Sequence, residues 1–450
     1  MKLQPRIENY QPHFNIKKNL NLTSLMAKIS HEFRLIPDNR RQSHCIYKQH
    51  DVMMAALACM FFQQPSWLQF QQQLEAGLND NNLSHLFNAT ELPQETQTRD
   101  ILDEIGSEHY RSTFNTLFEQ LRQDKQLDKF RLPLSLSGLF YVAIDGSQYH
   151  SSKKIQCECC LTKVHGDVTT YQHQVLQGAV MHPESRQVIP LMPEPILNTD
   201  GDKKQDCEHK ATQRFLTKLR EDHPRLPLLI GGDGLFSDST IIKHTLSLNM
   251  HYIFTCKPGD HTYLMTWLAD YTDDWPWIEH TDKGHLHRYR WRNGVPLSGQ
   301  STAPEVNFLE YEDVNIETGR VYRNSWVTDL EVTRSNVWRL IRAGRCRWKI
   351  ENECFNTLKN QGYKIEHNFG HGKKYLSQNM YLSTLLAFFL HQILELCDEA
   401  YQLCRKMYGS KRNLWEHIRQ ITNMFIIPDW YWLFAWCLDP KHKEFTLDDS

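Results

Sequence analysis

Two short apolar runs constrain this chain more than any other feature: LFYVAI at residues 139–144 and LPLLIGG at 226–232 each lead straight into an Asp-Gly pair, Asp145-Gly146 and Asp233-Gly234. Compact apolar runs of this length, bounded by turn residues, read as buried strands. Each would deliver a carboxylate at its end, and the following glycine would let the backbone turn away and leave the acid open at the sheet edge. A lone Asp-Gly is more often a β-turn, so the pair gains meaning only from its surroundings.

Those surroundings are ordered. Residues 20–130 read as helical, with apolar side chains three and four apart in DVMMAALACMFFQQPSWLQFQQQLE and a break at Pro65. After the linker RLPLSLSG come the first strand, the strand candidates TTYQHQVLQGAVMHP and QVIPLMPEP, a helix over 203–221, the strand ending in Asp233, a helix in SDSTIIKHTLSLN and a strand in MHYIFTCKPG. That order is the one of an α/β, RNase H-like (retroviral integrase-like) core. Residues 261–335 read as a β-rich insertion with turns at Asn293-Gly294 and Thr318-Gly319, and helical pattern returns over 333–396. The expected organisation is an N-terminal helical domain over 1–130, assigned to binding DNA ends, a core over 135–400 containing the insertion, and a helical, aromatic tail over 401–450. The patch PDWYWLFAWCL in that tail reads as core packing rather than a partner surface.

Composition removes several classes of function. With 450 residues, 40% of them hydrophobic, the chain can bury a large core and a satellite domain. The N-terminus lacks a basic stretch followed by an apolar run, so no export signal is expected. The apolar run at 385–396 is interrupted by His391, Gln392 and Glu395 and reads as a buried helix, short of the roughly 20 apolar residues of a bilayer span. Twelve cysteines, mostly scattered, fit reduced thiols and a cytoplasmic location. No P-loop, dinucleotide fingerprint or nucleophile elbow is present. The net charge of -2 gives no global signature of nucleic-acid binding, but residues 334–374 hold ten Lys or Arg against three Glu, a local charge of +7. That segment is either a DNA-facing surface or a solvated helix face.

Phosphoryl transfer on DNA is promoted by two divalent cations roughly 3.5–4 Å apart. Mg²⁺ takes hard oxygen ligands and keeps several waters, so a few converging carboxylates suffice. Asp145 and Asp233 supply two. In RCRWKIENECFNTLKNQG, Trp348, Glu351, Phe355 and Leu358 share one face of an α-helix, which makes Glu351 rather than Glu353 the third. A salt bridge from Glu351 to Arg347 is an equally good account of the same spacing. Cys157 and Cys160 form a C-x2-C pair with Cys159 between them, and His165, His173, Cys207 and His209 follow. Structural Zn²⁺, ordinary thiols and a redox pair all remain open for it. His367 and His371 sit four apart and on a helix could share a metal, but Gly370 and Gly372 favour a loop that contacts phosphate or simply packs.

The motifs AIDGSQYH, GGDGLFSDS and RWKIENECFNTLKNQG, with a β-rich segment between the second and third, resemble bacterial insertion-sequence transposases of the DDE type, in the group whose third motif runs Tyr, Arg, Glu, Lys. The resemblance covers residues 135–400. It implies Asp145, Asp233 and Glu351 as ligands of Mg²⁺ or Mn²⁺, Arg347 as a DNA-phosphate contact, and cutting of element ends followed by their joining to target DNA. It further implies double-stranded DNA with terminal inverted repeats as partner, a homodimer in the synaptic complex, and a nucleoid-associated location in a bacterial cytoplasm. Gly344 stands where the family has tyrosine, and Leu358 where it has lysine; Lys359 follows one place later and can still reach phosphate. An RNase H-like nuclease, or an inactive DNA-binding derivative without strand transfer, is the competing reading.

Overall fold

In the computed structural model, which describes residues 14, 17–41, 43, 45–75, 82–91, 94–199, 204–270 and 275–438, helices come first. They are α1 (Leu22–Leu35), α2 (Gln49–Phe61), α3 (Trp67–Glu75), α4 (Asn82–Phe87), α5 (Glu95–Asp103) and α6 (Tyr110–Gln123). Strands β1 (Phe140–Ser152), β2 (Leu161–His165), β3 (Val168–Met181), β4 (Ile189–Pro190) and β5 (Glu194–Ile196) follow. Next come α7 (Lys204–Asp222), β6 (Leu228–Gly232), α8 (Ser239–Ser247), β7 (His251–Thr255) and α9 (Thr262–Ala269). Then come β8 (Ile278–Asp282), β9 (His285–Pro296), β10 (Glu305–Asn315), β11 (Val321–Thr328), α10 (Val337–Arg345), a π-helical turn over Ile350–Phe355 and α11 (Asn356–Asn360). The chain closes with α12 (Leu376–Cys397), α13 (Glu399–Tyr408), α14 (Lys411–Met424) and α15 (Trp430–Leu438). The segment expected to lack an export signal and the end of the tail, residues 1–13 and 439–450, lie outside the described residues.

Two units result. The first holds Met1–Asp128, Gln148–His173 and Phe355–Ser450; the second holds Lys129–Ser147 and Gln174–Cys354. In the first, α12 is the central helix, packing against α2, α5 and α13. It begins at Leu376, well before the expected run, and its 22 residues are long and apolar enough to cross a membrane; its most apolar stretch is 94% buried in the structure. The expectation that this segment is too short for a span is therefore corrected, while its burial stands. The aromatic residues Trp430, Phe434 and Trp436 of α15 are buried as well. A polar chain also runs through this core: Ser30 Oγ meets His50 Nε2 at 2.8 Å, and His50 Nδ1 meets Asp51 at 2.7 Å. Burial opposes the Asp51 charge, yet bonds from His50, the Thr90 side chain and the amides of Thr90 and Glu91 hold its carboxyl at about 2.

The second unit is built on a mixed sheet. Its strand order is β3-β1-β6-β7-β11-β10-β9-β8, with β4 and β5 on the outer side of β3. β1 pairs parallel with β6, and β6 with β7, while β7 and β11 pair antiparallel, as do β11, β10, β9 and β8 in turn. The β-rich segment expected as an insertion thus continues the same sheet, through Trp326↔Thr255 to Thr328↔Ile253. Thr318-Gly319 makes the turn between β10 and β11, with Thr318 N–H donating to Asn315 at 2.8 Å. Asn293-Gly294 makes no turn. It lies inside β9, where two residues face Asn307 of β10 in a β-bulge, and Asn293 exchanges hydrogen bonds with the Val332 backbone at 2.9 and 3.1 Å.

α10 meets the Trp326 ring of β11 at Gly344, the position where the resembled group has tyrosine. A Cβ there would stand 2.6 Å from the Trp326 indole nitrogen, so the fully packed Trp326 takes the space a side chain would need. Gly344→Ala should therefore cost about 1–3 kcal/mol through overpacking, and Gly344→Tyr should not yield a folded protein. Urea unfolding of the alanine variant checks this, and wild-type stability would show that Trp326 yields freely.

Candidate active site

The second unit gathers most of the expected site. Phe140–Ile144 of β1 and Leu228–Ile230 of β6 are buried almost completely, which holds both strands at the centre of the sheet. Their parallel register runs from Phe140↔Leu228 to Ala143↔Gly231; continued by two residues, it sets Asp145 level with Asp233, which follows the end of β6. Neighbouring strands lie about 4.8 Å apart and in-register residues of a parallel pair share a face, so the two acids are side by side. The glycines before Asp233 permit close packing here. A Cβ on Gly231 would meet the Tyr141 hydroxyl at 1.9 Å, and one on Gly232 would meet the Phe236 ring at 2.4 Å.

The two acids end their strands differently. Asp233 follows β6 and caps a 3-10 turn, accepting from Leu235 N at 3.0 Å, as the sequence implies. Asp145 does not end its strand: β1 runs on to Ser152, because Gly146 keeps the extended backbone instead of turning. The acid is presented instead by its neighbour β6 ending beside it.

Glu351 reaches this place through an arginine. The Arg347 guanidinium lies 2.7 Å from Glu351 and 3.4 Å from Asp145, so the salt bridge foreseen as the alternative use of Glu351 is present. The α-helical face proposed for Glu351 is not. Trp348 is 46% exposed and the Glu351 side chain 53%, while Ile350 and Cys354 are fully buried. The π-helical turn over Ile350–Phe355 changes the spacing, so a 3.6-residue periodicity misplaces the buried face. Glu353 is half-buried in the same turn.

Electrostatics match the geometry. Burial is the largest influence on Asp145; Arg347 opposes it, and the neighbouring Asp233 and Glu351 carboxylates add to it, so the carboxyl is pushed up to about 6. Burial works against the Arg347 charge too, but Glu351 and Asp145 hold it above its usual value. The donor set is one of hard oxygens crowded enough to repel each other, which suits a divalent cation. The three carboxylates do not yet converge on one point, since Arg347 is the counter-ion between Asp145 and Glu351.

Other expected residues fall elsewhere. Lys359 belongs to the first unit, where it pairs with Glu366 at 2.8 Å. Much of the basic segment is engaged within the protein: Lys349 is buried and donates to the carbonyls of His182, Pro183 and Ser185, Arg342 pairs with Glu184, and Lys374 with Glu104. Cys157 and Cys160 lie in the first unit with their sulfurs 3.7 Å apart, joined there by His173 and His371. The eleven described cysteines are free; the Cys207 side chain lies outside the described residues. His209 is bonded to the Leu235 carbonyl, and His165 is exposed on β2. His371 was missed as a partner of the cysteines because 211 residues separate it from Cys160, and no spacing motif spans that distance.

No protein-family model and no curated protein matches the chain. The solved structures similar to it include a cryo-EM structure of a piggyBac transposase synaptic complex with hairpin DNA. That likeness has 10% identity, covers 94% of this chain and 81% of that chain, and has a TM-score of 0.39. A likeness so remote fixes neither fold nor activity.

A buried acid with a raised pKa destabilises the fold once it ionises. The Asp145 contribution is therefore intact below 3.8, its ordinary value, and is lost as pH rises through about 6. In chelator, Asp145→Asn should be more stable than wild type at pH 7 by about 1–2 kcal/mol, after allowance for its partial exposure, and should match it at pH 4. Urea unfolding at both pH values measures this; a variant less stable at pH 7 would show that the carboxylate supports the fold.

Proposed function

We propose that this chain is a DDE-type DNA transposase with an RNase H-like core, of the bacterial insertion-sequence group whose motifs it resembles. The observation that carries the reading is the nearness of Asp145, on β1, to Asp233, just past the end of its parallel neighbour β6, with Glu351 tied to Asp145 through Arg347. The strand order β3-β1-β6-β7 with a helix before and after β6 supports the fold assignment. The substrate is double-stranded DNA, the element's terminal inverted repeats and then the target, engaged by a homodimer in the bacterial nucleoid.

Asp145 and Asp233 are the fixed ligands of the reaction's Mg²⁺ or Mn²⁺, because the sheet orders them before any substrate arrives. Glu351 completes the set. Arg347 holds that side chain beside Asp145 and keeps the metal-free carboxylates paired; with DNA present its guanidinium is the group suited to take up a phosphate oxygen, in fork geometry. The divalent cations supply activation of the attacking oxygen and stabilisation of the leaving one. The protein residues position the scissile phosphate, first for water and then, with the freed 3'-OH as nucleophile, for a second phosphodiester. The N-terminal helices are assigned to DNA-end binding, and Lys359, like the lysine of the resembled group, to a DNA-phosphate contact.

The test uses linear DNA carrying the sequences that flank the coding region, purified protein, and Mg²⁺ or Mn²⁺. Wild type should cut at the element ends and join them to a target plasmid. Asp145→Asn, Asp233→Asn and Glu351→Gln should each slow single-turnover cleavage by about a thousandfold, some 4 kcal/mol in the barrier, with DNA binding kept; Glu353→Gln should act modestly. Cutting without joining would leave a nuclease, and an active Glu351→Gln beside an inactive, folded Glu353→Gln would overturn the choice of third acid.

A further inference from the structure

A second cluster of metal-ligating side chains lies wholly in the first unit, apart from the carboxylates. Its residues come from separate stretches of chain. Cys157 and Cys160 flank the turn that enters β2, and Cys160 N–H closes it on the Cys157 carbonyl at 3.2 Å. The antiparallel pairing of β2 with β3 starts at Leu161↔Gln172, so the next residues outward, Cys160 and His173, face each other across the end of the hairpin. His371 arrives from the loop Gly370–Gly372, just before α12.

We infer that Cys157, Cys160, His173 and His371 form a tetrahedral Zn²⁺ site that ties the β2–β3 hairpin to the loop at the start of α12. The spacing among the donor atoms carries the inference. Zn–S bonds of about 2.3 Å and Zn–N bonds of about 2.0–2.1 Å at tetrahedral angles require edges of about 3.8 Å for S···S, 3.6 Å for S···N and 3.3 Å for N···N. The observed Cys157 Sγ···Cys160 Sγ edge is 3.7 Å. The S···N edges are 3.4 Å from each cysteine to His173 Nε2 and 3.5 Å from Cys160 to His371 Nε2, and the N···N edge is 3.2 Å. The sixth edge, Cys157 to His371, is within 4.8 Å. A set of thiol-to-imidazole hydrogen bonds would satisfy these groups in pairs; it would not require all four donor atoms to converge on one centre.

The surroundings prepare the site. His371 Nδ1 donates to the Gly372 carbonyl at 3.0 Å, which leaves the lone pair on Nε2, the atom turned toward the cysteines. The Cys157 amide donates to the Cys160 sulfur at 3.4 Å, which orders the turn between the two cysteines. The loop carrying His371 is itself pinned: the Asp103 carboxylate accepts the backbone N–H groups of Lys373, Lys374, Tyr375 and Leu376 at 2.8–3.0 Å. Tyr149 stacks on His173 with ring centroids 5.8 Å apart. Cys160 and His371 are only 3% and 7% exposed. Two thiolates and two neutral imidazoles cancel the charge of Zn²⁺, so the buried centre carries no net charge. Four protein ligands leave no open position, which makes the ion structural rather than catalytic.

The full-length protein, purified under reducing conditions without chelator, should contain about one zinc per chain by plasma mass spectrometry. Exchange for Co²⁺ should give the intense visible bands of a tetrahedral ion together with a thiolate charge-transfer band. Cys157→Ala and His371→Ala should each abolish stoichiometric zinc. His150→Ala, which removes a ring 4.5 Å from His371 that supplies no ligand atom, should keep it. Where a ligand variant does not fold, the wild-type metal content and the Co²⁺ spectrum still decide. Zinc-free wild type, a Co²⁺ spectrum without thiolate charge transfer, or a folded His371→Ala that keeps its zinc would overturn the site. None of these outcomes depends on whether the protein acts on DNA.

Discussion

The parallel pairing of β1 with β6 is the interaction on which the rest of the candidate site depends. Register in a sheet is all or nothing for side-chain direction: a slip of one residue would send Asp145 and its neighbours to opposite faces. Burial fixes it here, because Phe140, Tyr141, Val142, Leu228 and Leu229 are almost entirely removed from water, and each large apolar side chain placed so contributes about 1.5–3 kcal/mol. Gly231 and Gly232 let Tyr141 and Phe236 close over the strand just before Asp233. The site's two aspartates are thus side by side as a consequence of core packing. The raised carboxyl of Asp145 is the cost of that placement.

Arg347 answers part of that cost. Its guanidinium links Asp145 and Glu351 across chain segments that share no hydrogen-bonded strand, while the buried Leu340, Ile341, Ile350 and Cys354 hold the segment that carries it against the core. In the proposed reaction a charged triad of this kind suits exchange: the arginine neutralises the carboxylates, and a divalent cation together with a DNA phosphate would offer both partners a replacement. The first unit uses another form of cross-chain tie. Asp103, capping α12 with four backbone amides, and the Cys/His cluster beside it organise a loop that its own sequence, rich in glycine, would leave loose.

Much of this was legible in the residues, for identifiable reasons. The central strands announced themselves because a buried parallel strand has apolar side chains on both faces, as in LFYVAI and LPLLI. Asp233 was placed well because β6 does end there; Asp145 was not, since Gly146 permits a turn but does not compel one. The π-helical turn defeated the helical wheel at Glu351, since periodicity arguments assume 3.6 residues per turn throughout. Asn293-Gly294 has the composition of a hairpin turn, yet hydrogen bonds to Val332, far along the chain, convert it to a bulge. The meeting of His371 with Cys157 and Cys160 was invisible for the same reason. Long-range contacts leave no local pattern.

Anomalous diffraction from crystals grown with Mn²⁺ and DNA ends decides whether Asp145 and Asp233 share a divalent cation. A manganese peak within about 2.5 Å of carboxylate oxygens of both aspartates is expected, with Glu351 released from Arg347. Manganese bound elsewhere, with the Arg347 bridge intact and the two aspartates bare, would contradict it.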